Sequence, residues 1–345
     1  MNAVEGRPPG PWLLSPTRPS RSRRARGSLG AKERFMAQVF VTGGSGFIGQ
    51  VLVRRLLGQG YSVRVLVRSE ASAAKVSALG AEPVRGELTE PATWRERAVG
   101  SDVVFHLAAE TDITADRERH ELVTVRGTRA AIEAARYAQV PRFVHCGSES
   151  ALLAGAPLVD IDETAPLRPD SEAAYCAVKA VAEKIVLDAN APEFATVSIR
   201  PRFVWGPDSF LVEGLVAAAK AGQFAWIGGG QHTTDITFVE NAVEGLVLGW
   251  RRGRPGQAYF ITDRHRVILR EFLEAQFEIY GVDLPIPDLD AETATREVPA
   301  PARWFLGQQC TLRTDKAVAD LGYEPVVAHA AGLEAVRNAV TGSRV

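Results

Sequence analysis

The sequence predicts an α/β protein: a doubly wound parallel sheet followed by a smaller, less regular α+β part. Three observations predict it. From Gln38 to Ile199 short apolar strands alternate with helical stretches, the pattern of a parallel sheet covered on both faces. The first strand, Val39-Phe40-Val41-Thr42, runs into Gly43-Gly44-Ser45-Gly46-Phe47-Ile48-Gly49, a glycine-rich turn that opens a helix. After Pro201 the strict alternation lapses and turn residues punctuate the chain more often.

The elements follow in order. Gln38–Thr42 is the first strand and Gly46–Gly58 the first helix. Ser62–Val67 is a second strand, bounded by Gly60 and Arg68, then a helix over Ala71–Leu79 and a short strand over Pro83–Arg85. The run Asp102–Leu107 is a fourth strand, Arg117–Ala138 a long helix and Arg142–Cys146 a fifth strand. In the helix Glu172–Asn190, Ala174, Val178, Val181 and Ile185 recur at helical spacing and are expected to face the sheet. Phe194–Ile199 is a sixth strand. The domains expected are 36–200, a Rossmann dinucleotide-binding domain, and 201–345, mainly substrate-binding, with 236–263 returning to the first.

The chain has 345 residues, 46% hydrophobic and 23% charged, enough for a large α/β core. Net charge is −1, but residues 1–35 carry eight Lys/Arg against two Asp/Glu, leaving 32 basic and 39 acidic residues in the rest. An acidic body argues against a nucleic-acid partner. The three cysteines, Cys146, Cys176 and Cys310, form no CxxC pair, which points to a reducing, cytoplasmic setting. No apolar run approaches the roughly 18–20 residues of a membrane span. A small-molecule substrate is the expected partner, and a homodimer is left open. Residues 1–35 hold Pro8, Pro9, Pro11, Pro16 and Pro19 and then Arg21, Arg23, Arg24 and Arg26. They have no period and are read as a disordered basic extension, with Met36 as the start of the functional protein. No apolar stretch follows Arg23-Arg24, which argues against an export signal.

The chemistry rests on three places. Gly43, Gly46 and Gly49 lie three apart, and Gly44, Gly46 and Gly49 satisfy GxGxxG. Glycines there permit a tight turn and close backbone approach to a pyrophosphate held at a helix N-terminus. Tyr175-Cys176-Ala177-Val178-Lys179 puts a phenol and an ammonium one helical turn apart. A phenol is a poor base near neutrality, and lowering its pKa by about three units takes roughly 4 kcal/mol. Lys179 and a positive nicotinamide are expected to supply it, so that Tyr175 exchanges a proton with a substrate oxygen as hydride moves. The strand Arg142-Phe143-Val144-His145-Cys146 ends at Gly147-Ser148, at the strand end where open α/β sheets bind ligands. Ser148 is positioned to hydrogen-bond the reacting oxygen.

On these motifs the chain resembles the extended short-chain dehydrogenases/reductases, over about Gln38 to Gly322. The likeness also rests on Phe105-His106-Leu107-Ala108-Ala109 and on Ile199-Arg200-Pro201-Arg202-Phe203-Val204-Trp205-Gly206-Pro207. The resemblance implies Ser148, Tyr175 and Lys179 as catalytic residues and NAD(P) as cofactor. It implies a cofactor site of Gly43, Gly46, Phe47, Ile48 and Gly49, with Arg68, Glu87, Leu88, Leu107, Ala108, Ala109, Tyr175, Lys179 and Pro201. Glu149, beside Ser148, and Arg202, Phe203 and Trp205, after Pro201, are assigned to substrate. Trp226–Gly230, Asp235–Ala242 and Gly256–Asp263 look like the 3β-hydroxysteroid dehydrogenase branch, and nucleotide-sugar epimerases and dehydratases share much of the framework. Three positions depart from the family pattern. Thr124 stands where asparagine is usual, Glu87 replaces aspartate, and His145, read as packing, replaces an aromatic. His106, His120, His232, His265 and His329 show no ligand spacing, so no metal is expected.

Three function classes follow. The first is a dehydrogenase or ketone reductase for a mostly apolar molecule of steroid-like size. The second is a nucleotide-sugar epimerase or dehydratase, and the third a cofactor-binding regulator without turnover. A nucleotide sugar would need cations for its pyrophosphate, with Arg202, Arg251, Arg252, Arg264 and Arg270 as candidates. An apolar ketone would need an apolar cleft, with Phe203, Trp205, Phe210, Leu211, Phe224 and Trp226 as candidates. The second strand ends at Val67 with Arg68 next and no acidic residue for a ribose hydroxyl. That favours NADP(H) over NAD(H), unless Glu70 curls back to the ribose.

Overall fold

The structure, a computed structural model, describes residues 37–342. The expectations for residues 1–35 and for Met36 lie outside the described residues. Seven strands, all parallel, form the central sheet: β1 (Gln38–Thr42), β2 (Ser62–Val67), β3 (Glu82–Arg85), β4 (Val103–His106), β5 (Arg142–Cys146), β6 (Ala195–Pro201) and β7 (Gln257–Ile261). Their order across the sheet is β7-β6-β5-β4-β1-β2-β3. The order reverses between β1 and β4, so the connections leave in opposite directions there and open a crevice at the strands' carboxyl ends. Register brings Thr42 level with His106, and His106 level with His145.

Both faces of the sheet are covered, which is why β1 reads as an unbroken apolar run. Val39 and Val41 join one core with Leu52, Leu56 and Leu246, while Phe40 joins the other with Val104, Phe143 and Ala135. Each such side chain taken fully out of water contributes about 1.5–3 kcal/mol. The helices on the sheet's side of the chain are α1 (Phe47–Gly58), α2 (Glu70–Ala78), α3 (Arg117–His120), α4 (Gly127–Tyr137), α5 (Ala174–Asp188) and α7 (Val239–Arg252), whereas α6 (Phe210–Lys220) packs into the C-terminal core.

Two elements differ from the sequence expectation. The long helix from Arg117 is interrupted: α3 passes through a wide π-turn at Glu121–Arg126 before α4 begins. Helix α5 buries a different face. Of the four residues expected to face the sheet Val178 is buried, together with Cys176, Lys179, Ala180, Glu183 and Val186, whereas Ala174, Val181 and Ile185 stay partly exposed. Counting only apolar residues missed this because Glu183 is buried with partners. Its carboxylate accepts from Ser198 Oγ at 2.9 Å and from Arg200 Nε at 2.8 Å.

The two parts interleave. Leu158–Ile161 leaves the first half to pair with Cys310–Leu312 in a small sheet that also contains Thr233–Thr234 and Val267–Ile268. In the other direction, α7 and β7 return to the central sheet, β7 pairing with β6. Asp263 fastens the return: it accepts from Trp205 Nε1 at 2.8 Å, Phe238 N at 2.6 Å and Asn241 Nδ2 at 2.8 Å. The C-terminal core is aromatic, built on Phe203, Trp205, Phe224, Trp226, Phe238 and Phe272.

Candidate functional site

A cavity of about 650 Å³ lies at the crevice between β1 and β4. The turn after β1 contributes Gly43, Gly46, Phe47, Ile48 and Gly49 to its wall. Arg68 follows β2, Glu87 and Leu88 follow β3, and Leu107, Ala108 and Ala109 follow β4. Gly43 has φ +74°, and a Cβ there would sit 2.6 Å from the Ala108 amide nitrogen. Only glycine lets the two strand ends approach this closely. Gly46 caps α1 without any side-chain hydrogen bond, which leaves first-turn N–H groups directed at the cavity with no side chain claiming them. These features fit a dinucleotide pyrophosphate.

At the ribose end, Arg68 is exposed on the cavity wall. Ser69 starts α2 by accepting from Ser72 N at 3.2 Å. Glu70 turns away and pairs with Arg85. Of the residues assigned to the cofactor, Tyr175, Lys179 and Pro201 are not on the cavity wall. Pro201 is buried as the last residue of β6, opposite Ile261. Cys146, the last residue of β5, and the exposed Phe210 do line the cavity.

Lys179 lies behind Cys146, almost fully buried, with Nζ donating to the Cys146 carbonyl at 3.0 Å. Burial lowers its pKa, with Cys146, Glu183 and Glu149 opposing. Ser148 follows β5 and accepts from Ser150 N at 3.1 Å, while its own hydroxyl donates to Glu149 Oε2 at 2.8 Å. Tyr175 is half-buried in the first turn of α5, with the Ser148 hydroxyl within hydrogen-bonding reach. Burial raises the Tyr175 pKa above the ordinary phenol value, and the Glu149 carboxylate raises it further; Ser148 acts the other way. The Lys179 Nζ donates to the Cys146 carbonyl, and the Glu149 carboxylate is the first of the charges that act on the phenol.

The four residues assigned to substrate are buried. Glu149 and Arg202 are both buried and paired at 2.7 Å. Arg202 also lies over the Phe305 ring at 4.2 Å. Phe203 stacks on Phe305 at 4.8 Å, and Trp205 is fully buried with its indole N–H on Asp263. Phe224 and Trp226 belong to the same core, so of the proposed apolar lining only Phe210 is strongly exposed. The candidate cations are also engaged. Arg251 donates to Tyr61 OH, Arg252 to the Leu321 carbonyl, Arg264 to Glu324 and Arg270 to Glu274.

Sequence reasoning overlooked two groups beside the site. His120, fully buried, meets the Tyr175 ring edge-on at 6.0 Å. Burial lowers its pKa, while Glu110, Asp112 and Asp116 pull it up. A buried chain also runs behind the cavity. Thr128 Oγ1 donates to the Thr124 carbonyl at 2.6 Å, so it accepts from His106 Nε2 at 3.0 Å, and His106 Nδ1 accepts from Thr42 Oγ1 at 2.7 Å. The Thr124 hydroxyl accepts from Glu110 N at 3.0 Å, so the residue that replaces asparagine ties the loop after β4 to the π-turn. His106 stands at a strand end and His120 at a helix turn, but the partners of His106 lie 22 and 64 residues away and His120 meets a ring on another helix.

The model of the 3-beta hydroxysteroid dehydrogenase/isomerase family matches residues 40–288. A 4-hydroxy-2-methyl-3-oxo-4-farnesyl-3,4-dihydroquinoline-1-oxide ketoreductase of Stigmatella aurantiaca is 40% identical, over 88% of this chain and 96% of that protein. A 2-alkyl-3-oxoalkanoate reductase of Stenotrophomonas maltophilia is 30% identical, over 87% of this chain and 98% of its own length. Among solved structures, the dTDP-glucose 4,6-dehydratase of Streptomyces venezuelae with NAD bound has a TM-score of 0.74 at 23% identity, covering 89% of this chain and 98% of that one. That likeness is one of fold.

Proposed function

The chain belongs to the 3-beta hydroxysteroid dehydrogenase/isomerase family and is an NAD(P)-dependent oxidoreductase that interconverts hydroxyl and keto groups; within that activity, we propose that it reduces a ketone on a mostly apolar molecule, using NADPH. When bound, the reduced cofactor supplies a hydride to the ketone carbon. Tyr175 gives its proton to the ketone oxygen, and the phenolate recovers a proton from solvent. Ser148 helps to place the Tyr175 hydroxyl, its own proton being donated to Glu149 Oε2. Lys179, buried one turn along α5, donates to the carbonyl of Cys146, which lines the groove, and would support the cofactor from there. The first turn of α1 holds the pyrophosphate, and Arg68 takes the 2′-phosphate, since Glu70 is paired with Arg85.

The observation that carries the apolar reading is the engagement of all five candidate arginines by protein partners, which leaves no free cation among them for a nucleotide-sugar pyrophosphate. The relatives' names add a chemical class. One carries a 3-oxo group next to a methyl-bearing carbon and the other next to an alkyl-bearing carbon. A ketone with an alkyl branch on the neighbouring carbon is therefore the substrate class we assign. The test is turnover with NADPH and NADH against 2-alkyl-3-oxo esters, 3-ketosteroids and nucleotide sugars. Consumption of NADPH with the 2-alkyl-3-oxo esters supports the reading, turnover of 3-ketosteroids alone would keep the apolar ketone but remove the alkyl branch, and turnover of nucleotide sugars alone would remove both.

A further inference from the structure

A connected line of polar groups leads away from the Tyr175 hydroxyl into the protein. Ser148 lies within reach of Tyr175, but its single proton is donated to Glu149 Oε2 at 2.8 Å. Glu149 Oε1 accepts from Arg202 Nη1 at 2.7 Å and from Ser150 Oγ at 3.3 Å. Arg202 is itself held by the Phe305 carbonyl at 3.2 Å and by that ring. Both members of the ion pair are at most 2% exposed. Such a pair is costly to bury, and a hydrophobic replacement is often as stable. Its contact with the Ser148 hydroxyl gives it a role that packing alone does not require.

We propose that Glu149 is a positioning residue that holds the Ser148 proton away from Tyr175, so that the site is set to give a proton to a ketone rather than to take one from an alcohol. This rests on the reading of Tyr175 as the proton donor. A phenolate at Tyr175 is stabilised by a donated hydroxyl. Glu149 competes for that hydroxyl and also places a negative charge beside the phenol. Both effects favour the protonated phenol, the form that ketone reduction consumes. Oxidation of an alcohol needs the phenolate and is displaced to higher pH. The other groups that face this line are few. Cys146, Cys176 and His120 lie against Tyr175, and Lys179, Cys176 and Cys310 feel the Glu149 charge. Asp235 and His232 feel the Arg202 charge.

The test follows tyrosinate ultraviolet absorption in the full chain saturated with NADP⁺, between about pH 6 and pH 10. Subtracting the Tyr175→Phe protein isolates Tyr175. Glu149→Gln keeps an acceptor for Ser148 but removes the charge. The Tyr175 ionisation is expected to move to lower pH by at least about one unit, or to enter the accessible range from above it. Should Glu149→Gln fail to fold because Arg202 is left unpaired, Glu149→Gln with Arg202→Gln carries the same measurement. A variant that melts earlier but shows the same difference spectrum as the wild-type chain overturns the inference and leaves Glu149 a packing residue. Turnover retained in Tyr175→Phe would instead overturn the catalytic reading, whatever Glu149 does.

Discussion

At the scale of single residues, the reading turns on Tyr175 and Arg68. Tyr175→Phe is expected to bind cofactor nearly as the wild-type chain does and to lose at least about a hundredfold in kcat, the usual contribution of a positioned acid. Near-normal kcat would remove Tyr175 from the chemistry. Arg68→Ala is expected to weaken NADP⁺ binding with little change for NAD⁺; a ratio of the two affinities that does not move would show that Arg68 is not the selector. Both residues were legible in the sequence because their signals are local, four positions along one helix and one position past a strand. Glu149 and Arg202 were legible as neighbours of the site but not as a pair. They are 53 residues apart, and only the fold brings their side chains together in the interior.

At the scale of elements, α1 depends on how closely its start can approach the turn before it. A Cβ on Gly49 would lie 2.2 Å from the Gly43 carbonyl oxygen, a backbone atom that cannot swing aside. Gly49→Ala is expected to lower stability by about 1–3 kcal/mol, as overpacking does, and to weaken cofactor binding by at least about tenfold as the helix N-terminus shifts. Calorimetry and a fluorescence titration with NADPH check the two effects, and unchanged affinity would argue that the turn tolerates the displacement. Thr42, His106 and Thr128 join the strand ends of β1 and β4 to α4. Burial, followed by the Lys179 charge, lowers the His106 pKa from 6.5 to about 3. The unfolded chain therefore binds a proton that the folded chain refuses, and the contribution of this group is lost as pH falls from about 6.5 towards 3. Between about pH 6.5 and pH 5 the wild-type chain is expected to lose about 2 kcal/mol more than His106→Gln in urea unfolding; parallel losses would show that His106 does not titrate this way. The strands and most helices were readable from alternation and period. The π-turn at Glu121–Arg126 was not, although β-branched Val123, Thr124 and Val125 stand at its centre. The buried face of α5 was misread because polar Glu183 is satisfied by Ser198 and Arg200 on a neighbouring strand.

At the scale of the molecule, the parallel sheet was legible and the C-terminal part only loosely. Its strands are two or three residues long and pair across large sequence separations, Leu158–Ile161 with Cys310–Leu312 for one. No local period marks such elements. Its aromatic residues were candidates for lining a cleft, and Phe203, Trp205, Phe224 and Trp226 form the C-terminal core. With the candidate arginines engaged, substrate affinity is expected to come from apolar area and to change little with salt, whereas a diphosphate would bind more weakly as ionic strength rises. KM for an active ketone measured across a salt series checks this. The central claim, hydride transfer to a ketone carbon, is tested most directly by turnover with NADPH carrying deuterium at the transferable position of the nicotinamide. The account predicts one deuterium at the carbinol carbon of the product for each cofactor oxidised. Product formed without that label, or a nucleotide sugar epimerised with no net oxidation of the cofactor, would contradict it.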